Sequence, residues 1–136
     1  VVYHSNQSFN YMIQPVDSIL HAPYLPEHVK KFIDKLNAII EKHYASCEFN
    51  VRKLVNLIAL SERQLQRKIK HIFNLTPAEF IRHYRLYKAK PLLIDGKPIA
   101  NVADLVGFTS ANYFTRCFKQ LFDVTPTEFI AQLFDN

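Results

Sequence analysis

Residues 75–81, LTPAEFI, return almost unchanged as VTPTEFI at residues 124–130. Five of the seven positions are identical, and both copies have the grammar of a helix start. Thr76 is placed to cap, Pro77 fits the first helical position, and the Glu79 carboxylate can reach back to the N–H of the capping residue. Thr125, Pro126 and Glu128 repeat the arrangement. Leu75 with Phe80, and Val124 with Phe129, form the hydrophobic pair that staples such a start. Asn74 and Asp123, just upstream, suit a left-handed residue that ends the preceding helix.

The copy is longer than the device. Sliding the chain by 49 residues pairs 61–81 with 110–130, and nine of those 21 positions are identical. Upstream the offset falls to 48, pairing Val51, Leu54, Val55, Ile58 and Ala59 with Ile99, Val102, Ala103, Val106 and Gly107. The second turn is therefore one residue longer than the first. A fold that satisfies this pattern must build the same small unit twice.

Each unit reads as helical. Apolar residues at 29, 32, 33, 36, 39 and 40 share one face of a first helix, expected over 27–44. Val51, Leu54, Val55 and Ile58 mark a short second helix. Ser61 with Gln64 forms a capping box that opens a third, along which Leu65, Ile69, Ile72 and Phe73 face one way. Helix, turn of about three residues, helix is a helix-turn-helix outline. A connecting helix is expected from 77 to about 94. Pro91 lies inside it, lacks an N–H and crowds the carbonyl of Tyr87, which predicts a kink or an early end. With only two glycines and no long alternating run, the chain reads as all-α, with about seven helices. The expected division is a linker or tail of an upstream domain at 1–26, a first unit at 27–76, the connecting helix at 77–94 and a second unit at 95–136. Within 1–26, the alternation of Phe9, Tyr11 and Ile13 suggests an extended arm.

Charge separates the two units. The net +5 conceals a block at 61–90 with eight Lys/Arg against two Asp/Glu, while 91–136 holds three against five. Such a block attracts polyanions, nucleic acid foremost. No apolar run is long enough for a membrane span. Cys47 and Cys117 suit reduced thiols and a cytoplasmic location, and the scattered histidines supply no four-ligand metal set. No nucleophile motif, phosphate-binding glycine loop or spaced carboxylate pair points to an enzyme.

The second unit, IANVADLVGFTSANYFTRCFKQLFDVTPTEF, resembles the signature of the AraC/XylS family of transcription regulators, and the first, VRKLVNLIALSERQLQRKIKHIFNLTPAEFIRHYRL, is similar to it equally well. The resemblance covers residues 28 to 133. It implies the family's C-terminal DNA-binding domain: two homeodomain-like helix-turn-helix subdomains joined by a long helix. It also implies double-stranded DNA as partner, with RNA polymerase and an upstream regulatory domain of the same chain beside it. No cofactor or metal is expected. The arrangement leans toward a response regulator or hybrid two-component protein. Two positions depart from the pattern: Ala59 stands where the family often has glycine, so the first turn is expected to be shaped differently, and Val55 stands where it often has alanine.

On a helical wheel Arg63, Gln66, Arg67 and Lys70 cluster, as do their counterparts Asn112, Thr115, Arg116 and Lys119. In a major groove arginine reads guanine, Asn and Gln read adenine, and lysine mostly holds phosphate. Arg63, Gln66, Asn112 and Thr115 are therefore expected at base edges. Arg67 and Arg116 are placed with them, with phosphate contact or a structural salt bridge as alternatives. Lys70, Lys119, Arg82 and Arg85 are expected at phosphates. The stripe Arg82, Arg85 and Lys88 could equally lay its stems over apolar neighbours. The bland reading of both clusters is a solvated helix face. For the whole chain the alternative is a protein-interaction module whose basic block binds an acidic partner. The many phenylalanines fall at helical spacing and belong to the core, as does Cys117.

Overall fold

The structure, a computed structural model, describes residues 25–135; the expected arm and most of the linker lie outside them. Among the described residues there are seven helices and no strand: α1 Glu27–His43, α2 Val51–Ile58, α3 Glu62–Phe73, α4 Pro77–Ile94, α5 Ile99–Leu105, α6 Ala111–Phe122 and α7 Pro126–Leu133. The 49-residue offset survives in three dimensions, with α3 and α6 both 12 residues long and α4 and α7 both opening on proline.

The two helix-start devices form as their residues dictate. Thr76 Oγ1 accepts from Glu79 N–H at 3.1 Å, and the Glu79 carboxylate accepts from Thr76 N–H at 2.8 Å. Thr125 and Glu128 repeat both bonds at the same distances. Those backbone N–H groups hold the Glu79 and Glu128 carboxyls below the usual carboxylate range. Asn74 and Asp123 take the left-handed conformation, at φ 58° and 66°.

Two cores result. The first gathers Ile33, Leu36, Leu54, Ile58, Leu65, Ile69, Phe73 and Phe80 from α1, α2, α3 and the start of α4. The second gathers Leu86, Leu93, Val102, Val106, Phe114, Phe118 and Phe129 from the rest of α4 with α5, α6 and α7. Helix α4 thus closes the first unit and opens the second. Of the phenylalanines assigned to packing, Phe73, Phe80, Phe108, Phe114, Phe118 and Phe129 are buried and Phe122 is half-buried, while Cys117 is buried.

Two expectations are corrected. Ala59 does not reshape the first turn: it adopts φ 61°, ψ 37°, the left-handed geometry a glycine would supply. Nor does α4 stop at Pro91. It continues to Ile94, and Asp95 N–H still bonds the Pro91 carbonyl at 3.0 Å. Pro91 falls in the last turn, where few ladder bonds depend on it.

Lys90 is an unanticipated member of the second core. It is 2% exposed, its ammonium 3.7 Å from the Phe122 ring centroid, and burial pushes its pKa down to about 7.

The strain at Ala59 predicts that Ala59→Gly stabilises the chain by about 1 kcal/mol in urea unfolding; an unchanged midpoint would mean that the left-handed turn is not strained. For Lys90 the folded pKa lies below the unfolded value of roughly 10.4. The unfolded chain therefore binds more protons between about pH 7 and that value, and stability rises with pH across this window. Lys90→Met should raise Tm by several degrees at pH 6, with a gain that shrinks by pH 9; a pH-independent gain would contradict the burial of a charge.

Candidate nucleic-acid interface

In the first unit the turn from α2 to α3 is three residues, Ala59 to Ser61. Ser61 Oγ accepts from Gln64 N–H at 3.1 Å, and Gln64 Oε1 accepts from Ser61 N–H at 3.0 Å. This box fixes where α3 begins, and hence which side it presents. Leu65, Ile69 and Phe73 are fully buried, so Arg63, Gln66, Arg67 and Lys70 are turned outward and exposed. The Gln66 amide donates to Glu62 across one turn at 3.3 Å.

The second unit repeats the geometry with different chemistry. Ser110 accepts from Tyr113 N–H at 3.2 Å, but tyrosine carries its oxygen at the far end of a rigid ring, unlike Gln or Glu, so the box is half made. Phe114, Cys117 and Phe118 face inward; Asn112, Arg116 and Lys119 are exposed and Thr115 is half-buried. The Arg116 guanidinium lies over the Tyr113 ring, 5.5 Å from its centroid. Lys119 sits 3.9 Å from the Glu128 carboxylate, a loose surface pair of little energetic weight. Among the described residues neither Arg67 nor Arg116 enters an ion pair, so the salt-bridge alternative is not realised.

The stripe on α4 divides. Arg85 does not face outward for phosphate, as the sequence suggested. Its Nε donates to the Tyr44 carbonyl at 2.9 Å, and its Nη2 donates to the Ser46 and Phe49 carbonyls at 2.9 and 3.1 Å. The loop between α1 and α2 has carbonyls to satisfy, and a planar guanidinium reaches three at once. Lys88 pairs with Glu41 at 2.7 Å and lies near the Tyr44 and Tyr84 rings. Burial works against the Glu41 carboxylate, yet hydrogen bonds from Lys88 and Tyr84 outweigh it and hold its pKa below the usual value. Arg82 is half-buried, and its charge helps to lower the Glu79 pKa.

The helix-turn-helix architecture recurs in known proteins. The helix-turn-helix domain family designated HTH_18 matches residues 54–132, spanning both turns and helices α3 and α6. The chain belongs to this family, of the AraC type. A relative from Formosa agariphila, histidine kinase P4, is 35% identical over 101 residues, covering 74% of this chain and 7% of that protein. The HTH-type transcriptional activator RhaS of Escherichia coli is 29% identical over 114 residues, 81% of this chain and 41% of that protein. The chain thus spans less than half the length of these curated relatives. Among solved structures, the C-terminal domain of the two-component response regulator yesN from Fusobacterium nucleatum superposes with a TM-score of 0.65. That pair is 28% identical, over 71% of this chain and 95% of the other. This AraC-type domain is a DNA-binding transcription-regulator domain rather than an enzyme. Its described helices include none long and apolar enough to cross a membrane.

Sequence reasoning missed the joint that Arg85 makes with the α1–α2 loop, because its partners lie 36 to 41 positions away in the chain. The one local signal is Gly107, whose counterpart in the first unit manages without being glycine.

Proposed function

We propose that this domain reads one duplex with two helices, inserting α3 and α6 into successive major-groove faces about one helical turn, ~34 Å, apart. The observation that carries the reading is the repetition of one quartet of polar positions, exposed except for the half-buried Thr115. Arg63, Gln66, Arg67 and Lys70 recur 49 residues later as Asn112, Thr115, Arg116 and Lys119, each set opposite a buried face. Arg63, Gln66, Asn112 and Thr115 contact base edges; Arg67 and Arg116 contact bases or nearby phosphates; Lys70, Lys119 and Arg82 hold the backbone.

The engagement of Arg85, Lys88 and Lys90 inside the fold narrows the source of the salt-dependent affinity. Of the eight cations at 61–90, Arg63, Arg67, Lys68 and Lys70 on α3, with Arg82, are left to meet the duplex, Lys68 from beside the Phe32 ring. The first unit then supplies most of the electrostatic grip, and the second adds shape and selected base contacts. A larger bacterial protein, with an upstream regulatory portion of two-component type and RNA polymerase as a further partner, fits the short span of the relatives matched and the response-regulator neighbour.

Neutralising Lys70 should weaken binding to every duplex alike and lower the salt slope by about 1, whereas Arg63→Ala should relax one base position at a cost of ~1–3 kcal/mol. Titration of both variants at several salt concentrations, against matched and single-mismatch duplexes, checks this; equal, sequence-independent losses would contradict it.

A further inference from the structure

The two units are tied twice, once by the continuous helix α4 and once through space. Tyr44, at the end of α1, packs against both cores. Its carbonyl receives Arg85 Nε, and the same guanidinium holds the Ser46 and Phe49 carbonyls of the following loop. Against this pair sits the second unit's turn. Gly107 adopts φ 93°, and a Cβ built there would lie 2.4 Å from the Tyr44 carbonyl oxygen and 2.8 Å from Arg85 Nε. Both atoms are fixed, one as backbone and the other by its hydrogen bond.

The comparison with the first unit separates two reasons for a glycine. Ala59 occupies the equivalent turn position, also left-handed, and is exposed. A Cβ is thus accepted in the first turn at φ 61°, whereas the φ of 93° at Gly107 lies beyond the left-handed region of other residues and favours glycine by itself. What Gly107 adds is closeness: its bare Cα lets the second unit's turn rest on the Tyr44–Arg85 pair. A single helix would leave the second unit able to swing by bending near its end; a second contact removes that freedom.

We propose that Arg85 and Gly107 form a joint that fixes the angle and separation of α3 and α6, and so determine which spacing between two half-sites the domain accepts. The proposal rests on the two-helix reading of DNA. Arg85 is a positioning residue that acts through Tyr44 and the α1–α2 loop and touches no base. Each base pair added between half-sites turns the second by about 35° and moves it ~3.4 Å, so a rigid pair of helices rejects wrong spacings and a loose pair does not.

The test uses the 136-residue chain and duplexes carrying its selected half-sites with one or two base pairs added or removed between them. The unaltered chain should lose about tenfold or more in affinity at two base pairs from the optimum, while Arg85→Met and Gly107→Ala should lose under about threefold or shift their optimum. Penalties for mismatches within a half-site should stay as in the unaltered chain. Folded variants that keep the original spacing profile, with only a uniform loss of affinity, overturn the proposal. If the unaltered chain ignores its second half-site, it is the two-helix reading that fails. The joint is read separately, without DNA, by spin labels at His71→Cys and Gln120→Cys in a Cys47→Ser background. Both variants should broaden the distance distribution, and an unchanged one overturns the joint. Arg85→Lys carries the same readouts should Arg85→Met not fold.

Discussion

The structure depends on one helix being buried around most of its circumference. Along α4, Phe80, Ile81 and Tyr84 enter the first core, Leu86, Ala89 and Leu93 enter the second, and Tyr87 and Lys90 are also covered. An ordinary surface helix buries one stripe. Here two units use different sides of the same 18 residues, so neither can be removed without exposing apolar surface on the helix they share. This also explains why the second unit lacks its own counterpart of α1: α4 precedes α5 as α1 precedes α2.

Charge follows the same logic of position. In sequence, the eight cations of 61–90 form one block. In the fold they divide into four displayed on α3, three whose heads serve the interior or the joint, and Arg82, half-buried on α4. Arg85 satisfies three carbonyls, Lys88 answers Glu41, and Lys90 is covered by aromatic rings. The displayed group faces away from the first core, the direction in which a duplex can approach. The proposed recognition surface is thus a remainder: what the helices present once their apolar sides are committed.

How much of this was legible depends on the range of the interaction. The capping boxes, the left-handed Asn74 and Asp123 and the inward faces of α3 and α6 rest on contacts within four residues, and the repeat made them doubly visible. The outward positions of Arg63 or Asn112 follow from the same periodicity. Ala59 was misjudged because intrinsic preference was weighed without the packing of Leu54 and Ile58, which holds the turn in place. The early end expected at Pro91 does not occur, because the damage a proline does depends on how much helix follows it. The roles of Arg85, Gly107 and Lys90 were out of reach, since each depends on which distant backbone or ring arrives beside it.

The central claim is that one chain carries two reading helices held at a fixed separation. Selection of bound sequences from random duplex DNA tests it most directly. The account requires a bipartite preference, two short half-sites with centres about 10–10.5 base pairs apart and a constant interval between them. A single half-site, or binding with no sequence preference at any salt concentration, would contradict it.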